Sequence, residues 1–272
     1  MSAENQEQID YWNDRAGATW AELQERLDAL LAPLSMAGLS AANVRRGERV
    51  LDVGCGCGDT SIALKQMGAN VLGVDVSQPM LDQARQRDGS VDYLLGDAAE
   101  TEFAAEFDLV FSRFGVMFFS DPFAAFKNIR QALKPGGRML FVCWQPPTLN
   151  PWMAIAGRAI APFLPVAEEP ANPRAPGPFA FADRGYVTEI LSSAGFSEIH
   201  IEPHIEELKL ADTLTDAVYF QTRVGPAARV MSELEGEGRR LALAAVEEAL
   251  RPFDQGEGLH LGSAVWLVSA KA

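Results

Sequence analysis

Histidine and cysteine are scarce in this chain, with three of each among 272 residues. Three cysteines cannot build a disulfide framework, and no Cys or His cluster has zinc-site spacing. Cys55 and Cys57 fall in a glycine-rich turn and Cys143 in an apolar run. Inert, reduced thiols in a cytoplasmic protein are expected there, with no bound metal. Basic residues are also short: 23 Lys and Arg against 37 Asp and Glu leave a formal net charge of −14. Nucleic acid and anionic membranes both need a basic face, so neither is an expected partner. No apolar run is long enough to span a bilayer. The opening Met1-Ser2-Ala3-Glu4-Asn5-Gln6-Glu7 lacks the basic-then-apolar order of a signal peptide.

What is present is organised around residues 49–59. Val50, Leu51 and Val53 read as a buried strand, Gly54, Gly56 and Gly58 break it, and Thr60-Ser61-Ile62-Ala63-Leu64 opens a helix. Strand, glycine turn and helix begin the nucleotide-binding half of a doubly wound α/β domain. The turn needs positive φ and a bare backbone that a ligand can approach. A dinucleotide fingerprint calls for Gly or Ala at position 59, but Asp59 would set a carboxylate where a pyrophosphate belongs. Asp52 adds a second carboxylate just before the turn. An acidic, glycine-lined pocket suits a cationic ligand without phosphate.

Downstream the alternation is regular. Strands at 50–53, 70–75, 91–95, 107–112 and 138–143 are separated by helices at 59–67, 78–87, near 99–104, and at 121–134. Such an order gives a parallel sheet with right-handed crossovers. A helix at 183–194 and strands at 197–208 and 262–269 complete seven strands. Ahead of them, 4–16 and 18–39 read as two helices, with Trp20, Leu23, Leu27, Leu30, Leu31 and Leu34 near helical spacing. Two stretches break the rhythm: a proline-dense insertion at 145–182, with a helix near 151–163, and a helical stretch at 213–250. The expected organisation is an N-terminal lid (1–48), a cofactor-binding core (49–144), a cap (145–182), and completion of the core (183–272).

Asp75 ends the second strand 21 positions after Gly54, where a carboxylate can accept from ribose hydroxyls or merely cap a helix. Met80 reads either as a base-packing side chain or as core. Gly96-Asp97-Ala98 follows the third strand, and Ser112-Arg113-Phe114 ends the fourth.

Asp52-Val53-Gly54-Cys55-Gly56-Cys57-Gly58 resembles the E/D-x-G-x-G-x-G motif of the class I S-adenosylmethionine-dependent methyltransferases. Ser112-Arg113-Phe114-Gly115-Val116-Met117-Phe118-Phe119 and Lys134-Pro135-Gly136-Gly137-Arg138 are similar to the small-molecule branch, including the ubiquinone/menaquinone-biosynthesis group. The motif resemblance covers about 49–145. It implies a Rossmann-like methyltransferase fold and S-adenosyl-L-methionine as cofactor, with S-adenosyl-L-homocysteine as product. It also implies cofactor contacts from Tyr11, Trp20, Asp52, Gly54, Cys55, Gly56, Asp75, Val76, Met80, Gly96, Asp97, Ala98, Ser112, Arg113 and Phe114. In that scheme Asp97 accepts from the adenine amino group, while the aromatics near Tyr11-Trp12 form a lid or simply dock on the sheet edge. The Asp/Asn-Pro-Pro-Tyr/Phe signature of amino-methyltransferases acting on DNA bases or glutamine is missing after the fourth strand. A small-molecule acceptor is therefore expected.

The implied mechanism is in-line displacement at the sulfonium methyl, where positioning matters more than acid–base work. Should a base be needed, His204 is the candidate, ahead of His200 and His260. Trp144, Trp152 and Phe179, with Phe181, line an acceptor pocket or form the cap's own core. Arg174 holds an anionic substrate group or lies in solvent. A homodimer is compatible with these features. Two competing functions are a nicotinamide-dependent oxidoreductase and a non-catalytic cofactor-binding regulator.

Overall fold

The computed structural model describes residues 3–163 and 172–272. Three helices come first: α1 (Ala3–Asn13), α2 (Arg15–Glu22) and α3 (Gln24–Ala42). The alternating part follows as β1 (Arg49–Val53), α4 (Asp59–Gln66), β2 (Asn70–Asp75), α5 (Gln78–Arg87), β3 (Asp92–Leu95), β4 (Phe107–Arg113), α6 (Pro122–Ala132) and β5 (Leu133–Trp144). Then come α7 (Pro151–Ile160), α8 (Arg184–Ser193), β6 (Ser197–Ala211), α9 (Leu214–Gln221), α10 (Pro226–Glu233), α11 (Gly236–Leu250) and β7 (Leu259–Lys271). The strands form one sheet in the order β3-β2-β1-β4-β5-β7-β6. Strands β1 to β5 pair in parallel, while β7 runs antiparallel to β5.

The chain divides into two compact units. The first comprises Met1–Gln145, Pro173–His204 and Val265–Ala272; the second comprises Pro146–Asn172 and Ile205–Ala264. In the first, strands β1 and β4 are buried on both faces, as parallel strands between helical layers must be. Val50, Leu109, Phe111 and Leu140 meet Leu64 of α4 and Ala42 of α3 in one apolar cluster. Leu27, Leu30, Leu31 and Leu34 of α3 are buried, as their spacing requires. In the second unit, α7 packs against α10 and α11, and α9 against α11. The helix-bearing insertion after β5 and the helices between β6 and β7 thus share one unit.

Several sequence expectations need correction. The single helix expected at 18–39 is broken at Leu23, whose backbone leaves the helical region. No helix forms near 99–104: Asp97 caps a turn there, and the chain then runs irregularly into β4. The helix expected at 121–134 stops at Ala132, because Leu133 already pairs with Phe107. Lys134-Pro135-Gly136-Gly137 is a bulge inside β5, after which Arg138 pairs with Leu109. Strands β6 and β7 are longer than expected, reaching Ala211 and starting at Leu259. Residues 164–171 of the expected cap lie outside the described residues.

Candidate active site

The carboxyl ends of β1, β2, β3 and β4 converge in the first unit, the edge at which open α/β sheets bind ligands. At the end of β1, Gly54, Gly56 and Gly58 adopt φ of +68°, +54° and +83°, which only glycine takes readily. The turn also touches the exit of β4. A Cβ on Gly54 would fall 2.7 Å from Gly115 Cα, and one on Gly115 would fall 2.7 Å from Val53 O. A Cβ on Gly56 meets only the Met80 Cε, at 2.7 Å. Gly56 is therefore a bare patch of backbone floored by a flexible thioether.

Three carboxylates surround this turn, each held differently. Asp52 is fully buried; its Oδ2 accepts from Thr60 Oγ1 at 2.7 Å and Ser61 Oγ at 2.6 Å, while Oδ1 has no partner. Burial pushes its carboxyl up to about 6, against the two hydroxyls and Arg113, which favour the charged form. Asp75 accepts from the Gly56 amide at 2.8 Å through Oδ2 and from the Ser77 amide at 2.8 Å through Oδ1. Burial raises its carboxyl too, opposed by those backbone donors. Asp97 accepts from Ala99 N at 2.8 Å and from Asn5 Nδ2 at 2.6 Å.

Asp59, the residue that departs from the dinucleotide pattern, belongs to a separate ionic chain. Its Oδ2 receives Arg113 Nη1 at 3.0 Å, and its Oδ1 lies 3.8 Å from Arg87. Arg87 in turn pairs with Asp28 at 2.9 Å and donates to Cys57 O at 2.7 Å. Arg113 also donates to Ser35 Oγ at 2.5 Å. Its side chain is thus bound to Asp59 and α3, a placement that sequence spacing alone could not disclose. Both arginines are committed to carboxylates, and the Gly54, Cys55, Gly56 and Gly58 amides already donate within the protein, so the turn offers a pyrophosphate no added positive charge and few open donors. A cationic donor such as S-adenosylmethionine fits this donor set; a dinucleotide does not.

The N-terminal helices lie along the same edge. Asn13 Nδ2 donates to Val76 O at 2.8 Å, and its Oδ1 accepts from Gln78 N at 3.0 Å. Ser77 Oγ donates to Trp12 O at 2.7 Å. The Trp12 ring stands edge-on to Phe118 beyond β4, with centroids 5.1 Å apart, and also touches Tyr11 and Trp20. Asn5, Trp12 and Asn13 are contacts that the sequence did not single out as a set. Their signal was the spacing of Asn5, Ile9 and Trp12 along one helical face.

Phe114 sits at the end of β4 with φ of +64°, a left-handed conformation rare for a bulky side chain. Its ring lies flat on Trp144, centroids 4.1 Å apart and planes 3° from parallel. Ser112 is buried with its Oγ unpartnered, beside the Gly115 backbone. Gly96 N donates to Asp75 O, and Cys55 and Ala98 are buried beside their glycines. Burial raises the Cys55 and Cys57 thiols, the latter to about 12, so both are inert.

The other expected substrate residues scatter. Trp152 is buried in the second unit, where its carbonyl accepts from Gln221 at 2.5 Å. Phe181 is core of the first unit, packed among Phe126, Phe141 and Tyr186. Arg174 is exposed and its guanidinium lies 4.2 Å over the Tyr186 ring. Phe179 is half-buried. His204 lies on β6, with β7 and β5 standing between that strand and β4. A cleft of about 550 Å³ opens at the opposite, amino edge of the sheet, lined by Asn43, Lys134, Arg138 and Lys271 among others. Three of its cations are paired: Arg138 with Glu48, Lys134 with Asp108 and Lys271 with Glu198.

Comparison with known proteins agrees with this geometry. Residues 51–141 match the family model described as a methyltransferase domain. A demethylmenaquinone methyltransferase of Beutenbergia cavernae is 33% identical over 142 residues, which are 51% of this chain and 59% of that relative. An uncharacterised protein of Mycobacterium tuberculosis is 29% identical over 214 residues, covering 76% of this chain and 75% of its own. Among solved structures, geranyl diphosphate C-methyltransferase from Streptomyces coelicolor A3(2), crystallised with S-adenosyl-L-homocysteine, shares the fold. Its TM-score is 0.55 at 16% identity, with 100% of this chain and 99% of that chain covered. Residues 51–141 thus carry a methyltransferase domain, on the fold that S-adenosylmethionine-dependent methyltransferases share. The chain is an S-adenosylmethionine-dependent methyltransferase.

Proposed function

We propose that the donor is held across the carboxyl ends of β1 to β4, with Gly54–Gly58 as its cradle. The observation that carries this is Gly56, a left-handed glycine open to Met80 whose amide is tied to Asp75. Asp75 receives the ribose hydroxyls, and its two backbone hydrogen bonds fix both oxygens for that task. Asp97 and the Ala98 amide meet the adenine edge, with Met80 below the ring. The buried, partnerless Oδ1 of Asp52 supplies negative potential behind the cationic end of the donor. Bound there, S-adenosylmethionine supplies an electrophilic methyl on a sulfonium that is already a good leaving group.

The protein's own task is then to place an acceptor atom in line and to exclude water. Residues 8–20 act as the lid, their aromatic cluster standing at the exits of β2 and β4. The buried Phe114–Trp144 stack makes the ends of β4 and β5 apolar, which suits an acceptor with an apolar part. A carbon or sulfur acceptor needs no base, and His204, three strand positions from β4, is not placed to act as one at this edge. Arg174 and Phe179 are assigned to acceptor binding, and Trp152 acts by stabilising the second unit. A reducing cytoplasm accords with three buried free cysteines, and net charge −14 disfavours nucleic acid. Among the described residues, no helix is long and apolar enough to cross a membrane. A homodimer remains the proposed assembly. Labelled methyl donor incubated with a panel of small acceptors, read by product mass, tests the reading; the absence of transfer to any acceptor by a protein that binds S-adenosylhomocysteine would favour a regulator.

A further inference from the structure

Asn5 is 8% exposed, although it lies three residues into a helix whose neighbours Gln6 and Glu7 are exposed. Its amide nitrogen donates to Asp97 Oδ2 at 2.6 Å, across 92 positions of sequence. Its amide oxygen faces Ser120 Oγ at 3.5 Å. Asp97 Oδ1 is already taken by Ala99 N in a tight turn. A carboxylate has about four lone-pair positions, so these two donors fix its plane and leave others to accept. The same helix is fastened at two further strand exits, through Trp12 on Phe118 and Asn13 on Val76 and Gln78.

Building on the assignment of Asp97 to the adenine edge, we infer that Asn5 is a positioning residue that sets the base specificity of the donor site. The chemical reason is directional. A carboxylate held in one orientation accepts from a 6-amino group and repels a 6-oxo group, whereas a freely turning one discriminates less. Residue 5 must then be a donor, because a carboxylate there would face Asp97 with like charge. The contact also couples docking of α1 to the presence of the base, since both share one carboxylate.

The test is calorimetric titration of the full-length protein with S-adenosylhomocysteine and with S-inosylhomocysteine, which carries oxygen in place of the 6-amino group. In Asn5→Ala, affinity for S-adenosylhomocysteine should fall about tenfold, the scale of one hydrogen bond to a charged group. Affinity for the inosine analogue should not fall, so the ratio between the two shrinks by at least the same factor. Asn5→Asp should lose more and Asn5→Gln less. Ligand-free melting temperature and circular dichroism establish that each variant is folded. Equal losses for both ligands would make Asn5 a general anchor of the helix and overturn the inference. A gain in affinity for S-adenosylhomocysteine would make it a competitor for Asp97 and overturn the inference equally. Failure of wild type to bind either ligand, or an unchanged ratio in Asp97→Ala, would instead strike the donor-site assignment itself.

Discussion

The Gly56 amide donates to Asp75 Oδ2 at 2.8 Å, tying the glycine turn after β1 to the acidic end of β2. One short contact thus links the ligand cradle to the residue assigned to the ribose. Asp75→Ala removes the acceptor of both the Gly56 and Ser77 amides as well as the ribose contacts. Hydrogen bonds to a charged acceptor are worth about 1.5–3 kcal/mol each. Donor affinity should therefore fall at least about tenfold by calorimetry, in a variant that remains folded by circular dichroism. Unchanged affinity would remove Asp75 from the ribose site.

Asp52 should leave a pH signature on stability. Its folded-state value of about 6 exceeds the ordinary 3.8 of an unfolded aspartate. As pH rises from about 4, the unfolded chain ionises first, so this group destabilises the fold progressively until about pH 6 and by a constant amount above it. The full effect is at most about 3 kcal/mol at 1.36 kcal/mol per unit. Urea titrations at pH 4 and pH 8 should show Asp52→Asn gaining stability relative to wild type at the higher pH. A difference independent of pH would mean that Asp52 is charged throughout.

Phe114 offers a backbone test. Because φ is +64°, glycine should be better tolerated than alanine there, by about 1–2 kcal/mol, the reverse of the order at ordinary positions. Phe114→Gly and Phe114→Ala both lose the stack on Trp144, so their difference isolates the backbone. Chemical denaturation of the two variants reads it. Alanine equal to or better than glycine would show that the left-handed turn is not kept in solution.

The lid assignment concerns residues 8–20. Hydrogen exchange there should slow when S-adenosylhomocysteine is added, because α1 and α2 dock on the same strand exits that the ligand occupies. Trp152→Ala, by contrast, should lose about 3–5 kcal/mol of stability as a core truncation. Exchange in 8–20 that ignores the ligand would leave these helices as a structural flank.

Much of this was legible in the sequence because local chemistry dictated it. Alternating Gly54, Gly56 and Gly58 force a left-handed turn after an apolar run, and the position of Asp75 follows from the length of one β-α-β unit. Arg113 was not legible. Its neighbours in sequence place it at a strand end, but its charge is captured by Asp59 and its donor by Ser35, 54 and 78 positions away. Trp152 and Phe181 show the same limit: proline and aromatic residues mark an insertion, yet which ring becomes core depends on distant partners such as Gln221, Phe126 and Phe141. Leu133 was assigned to helix because its local pattern continues α6; pairing with Phe107 overrode it.

The donor is proposed to sit on the bare backbone at Gly56. Titrating S-adenosylhomocysteine into wild type and Gly56→Val side by side tests it most directly. A valine there places its Cβ 2.7 Å from Met80 Cε and its side chain in the cradle. Wild type should bind with a measurable heat and a raised melting temperature, and the folded variant should show neither. Binding by Gly56→Val with wild-type affinity would mean that the donor sits elsewhere.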